Sequence, residues 1–328
     1  MIFVRIVCIY ALQLCLRTGS GMKIQGISKI LRNYDVMVLD QWGVLHDGKK
    51  PYDGVIDSMR QIRENFPIKI IILSNSSKRS SSTQQGLLKV GLSPDHIDGI
   101  VTSGEIGWQR IRDRFYDFLH HSDRPLRVTL IGNADDDLEY IQSCGCILAD
   151  PKDADFILAR GSFSYSTASI NHVYKTAEAL FECIDTYLTE CAMYSLPMLV
   201  TNPDTNRPGS NAPMPGRIGE KYSNKGMRVE YIGKPYSAVY DECYHVAESL
   251  LGKSASSLRF FAVGDSLEHD IRGAEVAGMD SVWIMNGVHC LELNRVEGSP
   301  NLPEDVAVES LLRKFNTQPT YSLARFSW

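Results

Sequence analysis

The sequence predicts an α/β protein with a Rossmann-like, doubly wound parallel sheet core and an inserted α/β domain. Apolar runs at residues 36–39 and 68–73, the second interrupted only by Lys69, are typical of strands buried on both faces of a sheet. Segments with helical spacing of apolar residues separate these runs, as in βαβ units. From Arg127 the alternation begins afresh and ends in the turn-rich stretch 201–209, which indicates a second α/β block inserted into the first.

Composition narrows the class of protein. Apolar residues at 44% and charged residues at 22% are ordinary for a globular enzyme, and 328 residues can form two domains. The formal net charge of −5 argues against a nucleic-acid partner, because affinity for phosphate backbones depends on clustered Lys and Arg. The eight cysteines have no paired framework, so we expect free thiols and a cytoplasmic protein.

The first 21 residues stand apart from the predicted fold. The apolar run at residues 6–16 is too short to span a bilayer, and no Ala-x-Ala-like cleavage site follows it. We interpret residues 1–21 as an over-extended start or a disordered leader, with a signal peptide as the alternative, and expect no membrane partner. The predicted domains are a core, residues 22–126 and 206–328, and an inserted domain, residues 127–205.

The core elements before the insertion follow from apolar spacing. Residues 24–33 have the spacing of a short amphipathic helix that leads into the strand 36–39. A second helix begins near residues 51–54, and its apolar positions are expected to pack on the sheet: Val55, Ile56, Met59 and Ile62. The remaining predictions for this part are a strand at 68–73, a helix at 81–90 and a long helix at 105–119.

The later elements are predicted in the same way. In the inserted block we expect strands at 128–131, 156–159 and 198–200, a helix at 137–143 and a long helix at 169–189. Beyond the hinge-like stretch 201–209 we expect a helix at 238–251, a strand at 259–263, a helix at 271–277 and a last strand at 282–285, followed by a loop-rich tail.

The strand at 36–39 delivers a carboxylate to its carboxyl end. Asp40 follows four apolar residues and precedes the turn at Gly43. Ligands of open parallel sheets bind outside the carboxyl ends of the strands. Asp40 is therefore the candidate nucleophile.

Other strand ends carry complementary groups. Ser74 and Asn75 precede a helix N-terminus, which is a ready anion site, although helix capping also explains such a polar run. Lys234 lies between a glycine and a proline, and Asp265 and Asp270 follow the strand at 259–263.

Converging carboxylates require a cation, and their oxygens suit Mg²⁺. Together with a lysine, such a site matches phosphoryl transfer through an aspartyl-phosphate formed on Asp40. The predicted partner is a small phosphorylated metabolite. The sequence is also compatible with a homo-oligomer.

These residues, in this order and spacing, resemble the four motifs of the haloacid dehalogenase-like (HAD) hydrolase superfamily. The similarity runs from about residue 24 to residue 290. The inserted α/β domain, which would be a cap, and the sequence Asn202-Pro203-Asp204 resemble the class IIA branch, which includes 4-nitrophenyl phosphatase and pyridoxal phosphatase.

The resemblance implies a role for each motif residue. Asp40 would be the nucleophile and a metal ligand, Asp265 a metal ligand, and Asp270 an inner- or outer-shell partner of the metal. The backbone carbonyl of Trp42 would be another ligand. Three residues would hold phosphate: Ser74, Asn75 and Lys234.

One position departs from the family pattern. Phosphatases of this superfamily carry a second aspartate, two residues after the nucleophile, that protonates the leaving oxygen; here that position is Trp42. The stretch from Asp40 to Gly48 resembles the signature of an uncharacterised bacterial class IIA subgroup. We hypothesise that His46 or Asp47 replaces the acid, and a solvated hairpin tip is the alternative interpretation of both.

The substrate surface is less defined. Asn202, Asp204 and Arg207 are candidates for it, and turn chemistry explains them equally well. A catalytically silent protein that binds phosphate and metal is the alternative function. A metal-independent C–halogen hydrolase also lacks the second aspartate, but it would leave Asp265 and Asp270 without a cation.

Overall fold

The computed structural model describes residues 21–119, 124–207 and 210–328. The predicted leader or over-extended start, residues 1–21, lies outside the described residues except for Gly21. The described chain forms two compact units. The first comprises residues 21–71, 90–98 and 247–328, and the second comprises the described residues of 72–89 and 99–246.

Strands and helices alternate along most of the chain, except that β6 to β9 follow one another without an intervening α-helix. The strands are β1 Met22–Lys23, β2 Val36–Leu39, β3 Lys69–Ser74, β4 Gly99–Thr102, β5 Leu126–Gly132, β6 Cys146–Leu148, β7 Phe156–Ala159, β8 Ser164–Ser166, β9 Asn171–Val173, β10 Met198–Val200, β11 Val229–Tyr231, β12 Phe260–Gly264, β13 Asp280–Ile284 and β14 Tyr321–Leu323. The α-helices are α1 Val55–Asn65, α2 Ser80–Lys89, α3 Ser103–Arg112, α4 Asp137–Ser143, α5 Ala177–Met193, α6 Pro215–Ser223, α7 Ser237–Leu251, α8 Arg272–Val276 and α9 Asp305–Phe315. Short 3₁₀ turns lie at Ile27–Lys29, Leu31–Asn33, Pro94–His96, Pro151–Asp153 and Ala255–Ser257, and a π-helical turn at Leu267–Ile271.

The first unit is built on a parallel sheet with the strand order β1–β14–β13–β12–β2, and β3 begins beside β2. All four residues of β2 are buried, which explains its uninterrupted apolar sequence. From β2 the chain proceeds to β3 on one side, whereas β12, β13 and β14 extend the sheet on the other. The strand order therefore reverses between β2 and β12, and such a switch point is where ligands bind.

The second unit has its own sheet, with the order β11–β10–β7–β5–β8–β9. Its strands from β11 to β5 are parallel, β6 also pairs with β5, and β8 and β9 are antiparallel. Buried side chains of α5 and α6, such as Ile184 and Ile218, pack against this sheet. The predicted fold class is confirmed; the boundaries 127–205 of the inserted domain stay a prediction.

Several predicted elements agree with the structure. The strands at 36–39, 156–159 and 198–200 and the helix at 137–143 have the predicted bounds. On α1, Val55, Met59 and Ile62 are buried as expected, whereas Ile56 is exposed. Within the described residues, no helix combines the length and the apolar character needed to cross a bilayer.

Other predicted elements differ. Residues 24–33 form two 3₁₀ turns instead of one helix. The predicted helix at 169–189 begins only at Ala177, because the Thr176 hydroxyl accepts a hydrogen bond from the Ala179 N–H (3.2 Å) and so caps the helix there. Residues 171–173 belong instead to β9, which pairs with β8. The predicted last strand is followed by α9 and β14, which adds to the sheet beside β13.

Candidate active site

The first unit brings three aspartates together at the switch point of its sheet. Asp40 follows β2, and Asp265 and Asp270 follow the adjacent strand β12. One carboxylate oxygen of each residue lies within 4.8 Å of the other two. The three side chains are 9%, 5% and 3% exposed, respectively. The structure thus assembles the acidic cluster that the strand ends predict.

Glycines around this cluster make the close approach of the backbone feasible. Gly43 has a φ of +72°, and a Cβ at this position would overlap the Asp265 carboxylate. A Cβ on Gly287 would also overlap Asp265, and one on Gly264 would overlap Asp270. Side chains at these three positions would displace the carboxylates, so the cluster depends on glycine for steric reasons.

Backbone groups orient the carboxylates. The Val288 N–H donates to Oδ2 of Asp265 (2.6 Å), and the Ser266 N–H donates to Oδ2 of Asp270 (3.0 Å). The Trp283 Nε1–H donates to the Asp265 carbonyl (3.0 Å), which fixes the loop after β12. Asp265 and Asp270 are therefore held in place by the protein itself.

The cluster has the chemistry of a divalent cation site. Three carboxylates this close and this buried repel one another, and a cation among them removes the repulsion. Hard oxygen ligands of this kind suit Mg²⁺ or Ca²⁺. The residues present therefore fit a divalent metal, which Asp40, Asp265 and Asp270 would hold.

Trp42 lies two residues after Asp40 and exposes 44% of its surface. Its indole and the His46 ring are in T-shaped contact, with a centroid distance of 5.4 Å and an interplanar angle of 66°. Gly48 has a φ of +86°, and a Cβ there would overlap the indole. An indole has no proton to give at neutral pH, so this position carries no general acid.

His46 is buried and fully engaged in local hydrogen bonds. Its Nδ1 accepts from the Gly48 N–H (3.0 Å), so the proton of the neutral ring sits on Nε2, which lies 3.4 Å from Oε1 of Gln41. Burial lowers the pKa of His46 to about 4, and the nearby Asp47 charge opposes this effect only in part. His46 therefore stabilises the loop as a neutral ring.

Asp47 shapes the turn that follows. Its Oδ1 accepts from the N–H groups of Lys49 and Lys50, both at 2.8 Å, and these bonds hold the pKa of Asp47 below its usual range. Such a pattern is that of an Asx turn. The role of His46 or Asp47 as the substitute acid stays a prediction.

In the second unit, Asn75 joins three distant parts of the chain. Its Oδ1 accepts from the Lys234 N–H (2.6 Å), and its Nδ2 donates to the Lys234 carbonyl (3.2 Å) and to Oδ1 of Asp204 (2.7 Å). Gly233 has a φ of +140°, and a Cβ there would crowd the ring of Pro203 and Oδ1 of Asn75 (2.8 Å). The loop with Lys234 therefore fits only with glycine at 233.

Ser74 and Lys234 are also buried, at 4% exposure each. The Ser76 N–H donates to Oγ of Ser74 (3.2 Å), and the Ser103 hydroxyl donates to the Ser74 carbonyl (3.4 Å). Ser103 opens α3 directly after Thr102, whose hydroxyl accepts from the Glu105 N–H (3.0 Å) as the N-cap. The Ser103 hydroxyl also lies 3.5 Å from Oδ1 of Asn75, so it links the Ser74 carbonyl to the amide that binds Lys234.

The candidate substrate residues of the junction have local roles. Oδ1 of Asn202 accepts from the Asp204 N–H (3.0 Å), which is turn chemistry, and Asp204 binds Asn75. The Arg207 guanidinium lies over the Phe163 ring, 5.4 Å from its centroid. Their role toward a substrate stays a prediction.

Sequence reasoning missed a buried cation in the second unit. Arg160, at the end of β7, is fully buried and forms ion pairs with Asp136 (2.7 Å) and Asp137. It also donates to the Ser77 carbonyl (3.2 Å), and so it supports the loop that follows Ser74 and Asn75. An arginine at the end of an apolar strand is the only signal for it in the sequence.

The parallel sheet with buried carboxylates at its switch point defines an α/β enzyme with a divalent cation site. Two family models match the chain, one described as haloacid dehalogenase-like hydrolase at residues 37–146 and one as HAD-hydrolase-like at residues 231–313. The two models together match more than half of the chain, which belongs to the haloacid dehalogenase-like hydrolase superfamily, as its motifs predict. The similarity to a 4-nitrophenylphosphatase supports the class IIA branch that the motifs also predict.

Individual relatives agree with this assignment. The chain is 26% identical over 309 residues to a 4-nitrophenylphosphatase of Schizosaccharomyces pombe, and the match covers 88% of this chain and 96% of the relative. A haloacid dehalogenase-like hydrolase from Brucella suis has the same fold, with a TM-score of 0.72, 22% identity and coverage of 92% and 98%. A possible sugar phosphatase from Cytophaga hutchinsonii matches with a TM-score of 0.70, 19% identity and coverage of 93% and 98%.

Proposed function

We propose that the protein is a Mg²⁺-dependent phosphatase that acts on small phosphorylated metabolites through an aspartyl-phosphate on Asp40. The observation that carries the proposal is the convergence of Asp40, Asp265 and Asp270 at the switch point of the sheet. The hydrolase family and the 4-nitrophenylphosphatase relative support phosphoric monoesters as substrates.

Asp40 is the nucleophile of the proposed reaction. A carboxylate oxygen of Asp40 attacks phosphorus in line, the bond from phosphorus to the ester oxygen breaks, and its electron pair leaves with the alcohol. Water then attacks the acyl phosphate, which releases inorganic phosphate and restores Asp40. The Asp40 N–H donates to the Val263 carbonyl (2.9 Å), so the sheet itself fixes the nucleophile.

Charge neutralisation accompanies both steps. When bound, Mg²⁺ supplies positive charge that offsets the substrate phosphate and the three carboxylates. Asp40, Asp265 and Asp270 would hold the ion, and the Trp42 carbonyl would be the further ligand that the family resemblance implies.

The phosphate is held by Ser74, Asn75 and Lys234. The buried ammonium of Lys234 offsets the negative charge of the phosphate, and the Ser74 hydroxyl donates a hydrogen bond to a phosphate oxygen. Asn75 acts on the backbone of Lys234, because its amide group binds both the N–H and the carbonyl of that residue. Residues 127–205 form the cap, and Asn202, Asp204 and Arg207 contribute to substrate choice.

The departure at Trp42 limits the rate. A general acid is typically worth about 10²- to 10⁴-fold, so alcohols of high pKa leave slowly unless another residue protonates them. If His46 or Asp47 does so, His46→Ala or Asp47→Ala makes the rate depend more steeply on the leaving-group pKa. An unchanged dependence in both variants shows that neither is the acid.

A panel of phosphate monoesters, assayed with Mg²⁺ and with a chelator, tests the proposal. We expect turnover that needs the metal and is lost in Asp40→Asn. Turnover that survives Asp40→Asn would contradict the mechanism. Thermal stabilisation by phosphate plus Mg²⁺ without turnover would favour the alternative function, a catalytically silent protein that binds phosphate and metal. The tryptophan at position 42, in place of the acid, is the reason for testing this alternative.

A further inference from the structure

A buried histidine from a later part of the chain contacts the loop between Asp265 and Asp270. His289 is 5% exposed, and its Nε2 accepts a hydrogen bond from the Leu267 N–H (3.2 Å). A ring nitrogen that accepts carries no proton, so the proton of the neutral ring is on Nδ1. That nitrogen donates to Oε2 of Glu292 (2.6 Å). Both ring nitrogens of His289 are therefore engaged, and one tautomer satisfies both bonds.

The carboxylate beside this histidine is itself held by a lysine of α9. Oε1 of Glu292 accepts from Nζ of Lys314 (2.7 Å). An ionised carboxylate accepts hydrogen bonds and does not donate them, so Glu292 keeps the ring proton on Nδ1. The ring of Phe315, the last residue of α9, makes a T-shaped contact with the His289 ring at a centroid distance of 5.0 Å. A chain of hydrogen bonds thus runs from α9 through His289 to the loop.

The loop that His289 contacts carries two of the three candidate cation ligands. Within the loop, the Ser266 N–H donates to Oδ2 of Asp270 (3.0 Å), and the His269 N–H donates to Oγ of Ser266 (3.1 Å). These bonds close the loop on itself. The Leu267 N–H instead binds His289, outside the loop. The imidazole therefore ties the backbone between the two carboxylates to the rest of the first unit.

The segment that carries His289 also contacts one of these carboxylates directly. The Val288 N–H donates to Oδ2 of Asp265 (2.6 Å), and a Cβ on Gly287 would overlap the same side chain. A shift of His289 would therefore disturb the carboxylate through Val288 and the loop backbone through Leu267. Groups that hydrogen-bond around metal ligands orient those ligands and so control metal affinity.

We propose that His289 is a positioning residue of the cation site, held in its accepting tautomer by Glu292 and Lys314. This inference rests on the cation site of the proposed function. His289 acts through the Leu267 backbone and not as a ligand, because hydrogen bonds already engage both of its ring nitrogens. Groups in such a position are typically worth about 10- to 100-fold in metal affinity.

Binding of Mn²⁺ alone to the full chain tests the proposal without turnover. Mn²⁺ takes the same oxygen ligands as Mg²⁺, and the electron paramagnetic resonance signal of the free ion measures how much stays unbound. We expect His289→Leu, which removes both hydrogen bonds, to raise the Kd for Mn²⁺ by about 10- to 100-fold. His289→Gln should restore most of the affinity, because its amide can accept from the Leu267 N–H and donate to Glu292.

The exposed end of the hydrogen-bonded chain gives a second test. Glu292→Leu should raise the Kd for Mn²⁺ in the same direction as His289→Leu, but by less. Combining the two substitutions should weaken binding no further than His289→Leu alone, because Glu292 acts through the histidine. Ile62→Val, on the buried face of α1, is the control for a general loss of stability. It should lower the unfolding midpoint and leave the Kd unchanged.

The inference and the phosphatase function fail in distinguishable ways. Equal Kd values for the wild type, His289→Leu and Glu292→Leu would overturn the role of His289 and leave the phosphatase function standing. A Kd for His289→Gln as high as that for His289→Leu would also overturn it, because the hydrogen bonds would not be the cause. Absence of turnover that depends on Asp40, with Kd values in the expected order, would defeat the phosphatase function alone. A wild type that binds no Mn²⁺ would contradict the cation site and, with it, both proposals.

Discussion

The buried histidine beside the candidate nucleophile predicts a stability that depends on pH. His46 is 4% exposed, and burial lowers its pKa from the ordinary 6.5 to about 4. The unfolded chain therefore binds more protons than the folded one between pH 6.5 and pH 4. The contribution of neutral His46 to the free energy of unfolding is therefore complete above pH 6.5. It decreases as the pH falls through this window and is absent below pH 4.

The size of this effect follows from the two pKa values. One pKa unit corresponds to about 1.4 kcal/mol, so the full loss is about 3.5 kcal/mol, of which about 2.5 kcal/mol is already lost at pH 4.5. His46→Gln removes the titrating ring while its amide can still accept from the Gly48 N–H. We expect this variant to lose about 2.5 kcal/mol less than the wild type when the pH falls from 7.5 to 4.5.

Urea unfolding at pH 4.5, 5.5, 6.5 and 7.5, followed by circular dichroism, measures the difference. Carboxylates that titrate in the same range affect both proteins and cancel in the comparison. His245→Gln, at an exposed histidine of α7, is the matched control and should follow the wild type. Parallel pH profiles for wild type and His46→Gln would refute the interpretation of His46 as a buried neutral ring.

Three further predictions concern other residues. Asn75→Ala should lower the free energy of unfolding by about 2–5 kcal/mol, measured in urea at pH 7.5, because the buried N–H and carbonyl of Lys234 lose their partner. Arg160→Met should cost about 3 kcal/mol in the same assay because Asp137 keeps a buried charge without its cation; a change under 1 kcal/mol in either variant would contradict the packing described. Trp42→Asp should raise kcat/KM for alkyl phosphates by up to about 10²-fold relative to aryl phosphates, and an unchanged ratio would show that position 42 does not reach the leaving oxygen.

The acidic cluster could be predicted because each of its members follows an apolar strand. The sequence places Asp40 and Asp265 at strand ends, and the carboxyl ends of parallel strands share one edge of a sheet. The pairing of Leu39 with Val263 brings the two ends side by side, as this reasoning requires. Asp270 could be predicted to join this cluster because only a short turn separates it from Asp265.

The contacts of Asn75 could not be predicted in the same way. Asp204 lies 129 residues from Asn75 and Lys234 lies 159 residues from it. No local pattern links such distant positions, since they meet only through the packing of the second unit. The predicted start of α5 was wrong for a different reason. The apolar spacing continues across residues 169–176, and the capping hydroxyl of Thr176 decides where the helix begins.

Trp42 shows how a sequence departure becomes a chemical constraint. In the proposed mechanism, an indole in place of the acid removes proton transfer, but the nucleophile, the cation site and the phosphate donors would act through position and charge and would not need that proton. The rate on each substrate is then governed by how well the leaving group departs as an anion.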